Sequence, residues 1–346
     1  MPPSLSPDTL QDRFRAAVLG MAVGDALGFP LRGLPPAAAA QAAERVEDFS
    51  PRPRGRFQKG QFSAHTQLML AAAESAVAVG RVDGRSAASH VAWAWREGVL
   101  LMPGQVVVEA VERFVAGTPW MSAGAPLGVA DPSVLSRALV PGLLSGEDPA
   151  RLGQEAGVLA VVTHKEPRAA AACAAAARAV ALSLTGRRWA PEAYCEEVAS
   201  AASVHDAALA EELCHLPRVL GWEVPKALEL LRRVAPASAL RGAEGLPAHV
   251  TPVLLVALYG ALKAPHDFGS AMRLVLRCGG EVDAASALCG ALVAANLGTA
   301  SVPVKLRRGV AFAEHLEDVA DRLFVVAQRG RRAPALASQA KVSQRR

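Results

Sequence analysis

The stretch Gly20-Met-Ala-Val-Gly24-Asp25-Ala-Leu-Gly28-Phe-Pro30 decides how this chain is read. Its three glycines recur every four residues, so on a helix they share one face. Apolar Phe14, Val18, Leu19 and Ala22 continue the helical period. Upstream, Ser6 suits the N-cap, Pro7 the first helical position and Asp8 the first turn. Pro30 ends the helix near Gly28. An interior glycine costs about 1 kcal/mol relative to alanine. Three on one face therefore imply close approach by a neighbour, either the backbone of another helix or a ligand.

Outward from this helix the pattern stays helical. Residues 31–62 read as irregular, with Pro35, Pro36, Pro51 and Pro53 and the basic run Arg52, Arg54, Arg56. Helical periods then cover Thr66–Val79, Ser86–Leu101 and Pro103–Ala116, followed by a Gly/Pro-rich link from Gly117 to Pro132. Thr163-His164-Lys165-Glu166 has capping-box spacing before an alanine-rich helix reaching about Leu184. Further helices are expected at Pro191–Ser203, Asp206–Leu216, Lys226–Val234, Pro252–Leu262, Phe268–Arg277, Val282–Leu297 and Arg308–Ala327. No alternating strand run, internal repeat or long polar linker interrupts them. The expectation is an all-α protein: a single compact domain over residues 1–330 and a basic, disordered tail over 331–346.

Composition agrees. Of 346 residues, 51% are hydrophobic and only 5% aromatic, enough for a large alanine-rich core. The net charge of +5 is mild for this length, and much of the excess lies in the tail. No basic stripe interleaved with aromatics marks a nucleic-acid partner. Cys173, Cys195, Cys214, Cys278 and Cys289 are odd in number and lack a C-x-x-C pair, which fits free thiols in a reducing cytoplasm. The N-terminus carries charges where a signal peptide needs an apolar run. Apolar stretches such as Val250–Leu262 fall short of the roughly 18 to 20 residues that cross a bilayer, so no membrane span is expected.

Four segments carry possible chemistry: the opening Gly20–Pro30; Gly60-Gln61-Phe62-Ser63-Ala64-His65-Thr66-Gln67; Thr163–Pro167; and Arg277-Cys278-Gly279-Gly280-Glu281-Val282-Asp283-Ala284. In the last, two glycines lead into a helix whose first turn holds two carboxylates. Hard cations prefer such oxygen ligands, but the helix dipole favours acidic residues there without any ligand. His164 reads as a cap-proximal side chain rather than a catalytic base. Trp93 and Trp95 lie two apart on a helix, so at least one belongs to the core.

In this order and spacing, over about residues 12–305, the segments resemble the ADP-ribosylglycohydrolase family, of the dinitrogenase-reductase-activating glycohydrolase type. The resemblance implies an all-helical fold whose members remove ADP-ribose from protein side chains, or split related compounds, with two magnesium or manganese ions. The departures fall on the site. The family's acidic residue after the opening proline is Arg32 here. Its Thr-Asp-Asp-Thr metal motif falls on Ser63-Ala64-His65-Thr66, and its Gly-Gly-Asp-x-Asp-Thr motif on Gly279-Gly280-Glu281-Val282-Asp283-Ala284. Of its central Asn-Gly…Met-Arg stretch, aligned on Pro132–Arg137, only Arg137 is kept. Ala64 cannot bind a metal, and His65 offers nitrogen, which suits manganese or zinc better than magnesium.

The resemblance thus places ligand contacts at Asp25, Arg32, Thr66, Gly279 and Gly280. It leaves Ser63, His65, Glu281 and Asp283 as a vestigial or single-metal set. Two closely spaced dications would lack the carboxylates that offset their dehydration and repulsion. Three readings follow. A non-hydrolysing protein binds ADP-ribose, a nucleotide or an ADP-ribosylated protein, with no cofactor. A residual hydrolase works with one divalent metal, manganese, magnesium or zinc. A structural or interaction protein keeps the motifs for packing. The first and third are favoured over the second.

Overall fold

The computed structural model describes the backbone of residues 5–343 except Arg52, and side chains up to Gly330 except those of residues 52 and 53. The α-helices are, in order, α1 (Pro7–Gly28), α2 (Pro36–Ala43), α3 (Ala64–Val79), α4 (Gly84–Arg96), α5 (Gln105–Val115), α6 (Trp120–Ala123), α7 (Leu139–Leu144), α8 (Pro149–Val161) and α9 (Pro167–Leu184). They continue as α10 (Pro191–Ser203), α11 (Ala207–Val219), α12 (Val224–Arg232), α13 (Ala237–Leu240), α14 (Val250–Lys263), α15 (Phe268–Leu276), α16 (Val282–Leu297), α17 (Val304–Gly309) and α18 (Ala313–Ser343). No strand occurs among the described residues; the only extended pairing is two isolated bridges, Ala125 with His164 and Leu246 with Gly280. The all-α, single-domain expectation holds.

The centre of the fold is the crossing of α1 with α16. The first helix starts as the sequence predicts, with the Ser6 hydroxyl accepting from Thr9 N–H and Pro7 at N1. Its glycine face meets backbone. A Cβ on Gly20 would lie 2.4 Å from the carbonyl oxygen of Gly290, on Gly24 2.1 Å from that of Ser286, and on Gly28 2.6 Å from Asp283 Cα. Gly290 returns the contact: its Cβ would sit 2.2 Å from Gly20 O. Of the two sequence alternatives, a neighbouring helix is the answer. The seam brings α1 so close to α16 that the Ser286 hydroxyl donates to Gly24 O at 2.7 Å.

Around the seam, α9 is mostly buried and more than half alanine, and α14 and α18 complete one continuous core. Arg15 clamps α18 by a bidentate pair to Asp321, both contacts 2.6 Å.

Several expectations are corrected. Residues 31–62 are not all irregular: α2 forms because Pro36 fits N1 and four alanines follow. The link after α5 holds α6, a 3-10 helix (Pro132–Ala138) and, beyond it, α7 and α8. The fourth helix stops at Arg96, short of Leu101, because Gly98 turns at φ 65°. Thr163 does not cap α9. Residues 163–165 pair with Ala125 (Ala125 N to Thr163 O, 2.7 Å), and Glu166 before Pro167 is the N-cap. By length and composition Pro7–Leu31 could cross a bilayer, contrary to the reading that no stretch could; 83% of its most apolar window is buried inside this fold. Trp93 is exposed, while Trp95 packs on the small core of α3, α4 and α5. The basic tail expected at 331–346 falls on side chains and a terminus outside the described residues.

Candidate functional site

The site is built where the start of α3, the start of α16, the 29–34 turn and the α4–α5 link converge. Asp25, buried at the end of α1, accepts from Ser63 N (3.1 Å), Thr66 N (2.9 Å) and Thr66 Oγ1 (2.7 Å). The two N–H groups are donors that the first turn of a helix leaves unpaired. Asp25 and Thr66 therefore lock α1 onto the N-terminus of α3. Burial pushes the Asp25 carboxyl above its usual range; Asp283 adds to this, while His65, Thr66 and Ser63 oppose it. The Ser63 hydroxyl turns back to accept from His65 N at 3.2 Å. It caps its own helix instead of facing the carboxylates.

Gly279 and Gly280 do not present their backbone to open space. Both have positive φ, 61° and 64°, and they thread between two other chain segments. Gly33 N donates to Gly280 O (2.9 Å) and Gly280 N to Leu34 O (3.0 Å). On the other side Leu246 N donates to Gly279 O (3.2 Å) and Glu281 N to Leu246 O (2.9 Å). A Cβ on Gly279 would lie 2.1 Å from Leu34 O, and on Gly280 2.2 Å from Leu246 O. The pair thus ties the turn that carries Arg32 to the residue that carries Glu281.

The side chains brought together are His65, Glu281 and Asp283, each offering one ligand atom with all three atoms within 4.8 Å of one another. His65 Nδ1 lies 3.1 Å from Ser136 Oγ, and its Nε2 lies 3.9 Å from Asp283 Oδ2. Asp283 is fully buried; its Oδ1 accepts from Ala284 N, and its Oδ2 has no hydrogen-bond partner. Arg32 reaches into the same cluster. Its Nη2 lies 3.3 Å from Glu281 Oε2 and its Nη1 3.7 Å from Asp283 Oδ2. Burial raises the Glu281 carboxyl pKa and Asp283 adds to it, against Arg32 and His65.

Sequence reading missed two contributors. Asp131 lines the same cavity and caps the following 3-10 helix by accepting from Ser133 N at 2.9 Å. Met102 holds φ 51° and turns its carbonyl to accept from Arg32 Nη1 at 3.2 Å. Behind Asp131 lies a buried polar chain. Arg137 donates to Thr163 Oγ1, Thr163 Oγ1 meets His164 Nδ1 at 2.8 Å, and His164 Nε2 stands 4.0 Å from Asp131 Oδ1. Arg137 is fully buried, and two of its nitrogens have no hydrogen-bond partner. Burial brings its pKa down to about 10.

The cavity among Arg32, His65, Met102, Asp131, Ser133 and Glu281 measures about 10 Å³, room for about one water molecule. A larger groove of about 600 Å³ beside α2 holds none of the predicted site residues; its polar lining is Gln41, Arg45, Asp48 and Ser50.

A pair of hard dications does not fit this donor set. Ala64 and Ala284 offer no ligand atom, Ser63 and Asp25 are spent on α3, and His65 supplies nitrogen where magnesium demands oxygen. One dication could engage His65, Glu281 and Asp283, but the Arg32 guanidinium stands against both carboxylates.

The chain belongs to the ADP-ribosylglycohydrolase family, whose sequence profile matches residues 6–333. It is 27% identical over 316 residues to an uncharacterized protein of Archaeoglobus fulgidus, covering 91% of this chain and 97% of that one. It is 23% identical to the ADP-ribosylarginine hydrolase Tri1 of Pseudomonas putida, covering 93% of this chain and 80% of that protein. Among solved structures, a chain of an ADP-ribosylglycohydrolase-related protein complex superposes with a TM-score of 0.69 at 25% identity, covering 92% of this chain and 99% of that chain.

Proposed function

We propose that this protein recognises an ADP-ribosyl group, free or on a protein side chain, without the two-metal hydrolysis of its family. The observation that carries the reading is the donor set. Two carboxylates and one imidazole stand where a metal pair needs several carboxylates, and a guanidinium already opposes the carboxylates. Family membership and the hydrolase relative supply the ligand class. A drug-sized ligand needs a cleft of about 300 Å³ or more, so the cavity of about 10 Å³ would have to widen to admit an ADP-ribosyl group.

The test pairs a calorimetric titration of ADP-ribose with an assay of ADP-ribose release from ADP-ribosylarginine in magnesium, manganese or zinc. Saturable binding with no release is expected. Metal-dependent release abolished by Asp283→Ala would instead establish a residual one-metal hydrolase. The closed cavity favours a second reading, an interaction protein that keeps the motifs for packing; no heat with ADP-ribose and an unmoved melting temperature would select it.

A further inference from the structure

Glu281 and Asp283 hold their carboxylates close together in a poorly hydrated corner, a pair that needs a cation. The chain supplies one. Arg32 makes a three-point contact, with Glu281 Oε2 at 3.3 Å, Asp283 Oδ2 at 3.7 Å and the Met102 carbonyl at 3.2 Å. Each anchor is separately fixed. The Arg32 backbone is held through Gly33 and Leu34 to Gly280, and its own carbonyl accepts from Arg54 Nη1 at 2.6 Å. Met102 keeps a left-handed backbone that non-glycine residues rarely adopt, which aims its carbonyl at the guanidinium. Its link is pinned to α3 by Ala64 N to Leu101 O (3.0 Å) and Leu101 N to Gln67 Oε1 (2.6 Å).

The residues that depart from the family pattern also touch one another. Arg32 meets Glu281 and His65 meets Ser136.

We infer that the Arg32 guanidinium is the resident cation of this site, standing in electrostatically for the divalent ions and closing the site to them. Arginine suits the role because its planar fork engages two carboxylates at once and does not lose its proton. Burial opposes its charge, but Asp283, Glu281, Asp131 and Asp25 outweigh that, and its pKa is raised. An incoming dication must compete for Glu281 Oε2 and Asp283 Oδ2, the atoms Arg32 already faces. The inference rests on the reading of the site as one without a metal pair.

The experiment titrates manganese and zinc into the full-length wild type, Arg32→Ala, Arg32→Lys and Arg32→Ala/Asp283→Ala, with metal analysis of each protein as purified. Wild type and Arg32→Lys are expected to bind metal at this site only weakly and to retain none on purification. Arg32→Ala is expected to bind one equivalent at least about tenfold more tightly than wild type, because a like charge has left the site, and the double variant to lose that binding. Should Arg32→Ala not fold, Arg32→Met keeps the apolar stem and reads the same effect. Wild type binding metal as tightly as the alanine variant overturns the inference, and so does an alanine variant no tighter than wild type. Metal-dependent release of ADP-ribose by wild type would sink the proposed function as well. Metal exclusion without ADP-ribose binding would remove only the ligand reading.

Discussion

The α1–α16 seam and the site at its end follow different rules. Along the seam every glycine of the opening motif meets backbone, from Gly20 on Gly290 to Gly28 on Asp283. At the site, where the 29–34 turn and α3 join α16, the side chains depart from the pattern the sequence resembles, yet the cluster still closes on itself through Arg32. Packing without a Cβ admits no substitute, because any added atom collides with a peptide group. A charged cluster admits many, provided that the charges balance and the buried acceptors keep a partner. The seam also serves the site: Gly28 rests against Cα and N of Asp283, so the seam fixes the backbone that carries that carboxylate.

The strongest way to break this contrast is Gly24→Val. Its Cβ would sit 2.1 Å from the Ser286 carbonyl oxygen, a backbone atom with no room to yield. We expect a loss of about 3 kcal/mol or more, or no soluble protein, read by chemical denaturation. A variant within about 1 kcal/mol of wild type would mean that the seam is looser than described.

Asp25 lies on the border between the two regions. It shares α1 with the glycines but spends its carboxylate on three donors at the start of α3. Asp25→Ala strands Ser63 N–H, Thr66 N–H and the Thr66 hydroxyl, and should cost about 2–4 kcal/mol. If denaturation shows no such loss while ADP-ribose binding falls, Asp25 belongs to the site and not to the scaffold.

The polar chain behind the site predicts a pH effect. Burial pushes His164 from 6.5 down to about 4, with Arg137 adding and Asp131 opposing. Between those values the unfolded chain holds a proton that the folded one does not. The contribution of this residue is therefore full above about pH 6.5 and is lost as the pH falls toward 4, amounting to about 3 kcal/mol. The raised carboxyls of Asp25 and Glu281 slope the other way. The clean measurement is thus the difference between wild type and His164→Gln in denaturation at pH 7 and pH 4.5. Parallel curves would show that His164 is not held neutral by its burial.

How much of this was legible in the sequence follows the same division. The bounds of α1 were readable because Ser6, Pro7 and Pro30 act locally. So was the meeting of His65, Glu281 and Asp283, through the family pattern. The role of Arg32 was visible only as a changed charge; its acceptors come from two distant segments, the α4–α5 link and the start of α16. Met102 gave no signal, since nothing in a methionine announces a positive φ. Asp131 sat in a Gly/Pro-rich link and reads as an ordinary cap before Pro132, so only the folded geometry puts it in the cavity. Thr163 misled because capping-box spacing also fits a residue drawn into a bridge with Ala125.

The smallest expected effect belongs to Glu281→Gln. Glu281 keeps one contact to Arg32 at 3.3 Å and is partly exposed to solvent, so the pair is worth little in net stability. Burial and Asp283 already push its carboxyl pKa upward, against Arg32 and His65. Deleting that charge while keeping the side-chain shape should move stability by less than about 1 kcal/mol. It should also leave Arg32 anchored on Asp283 and Met102. A large loss would show that the ion pair holds the fold as the glycines do, and the contrast between seam and site would collapse. Near-neutral stability beside a severe Gly24→Val would place the constraint where the contacts put it: on the backbone at the seam, and on charge balance at the site.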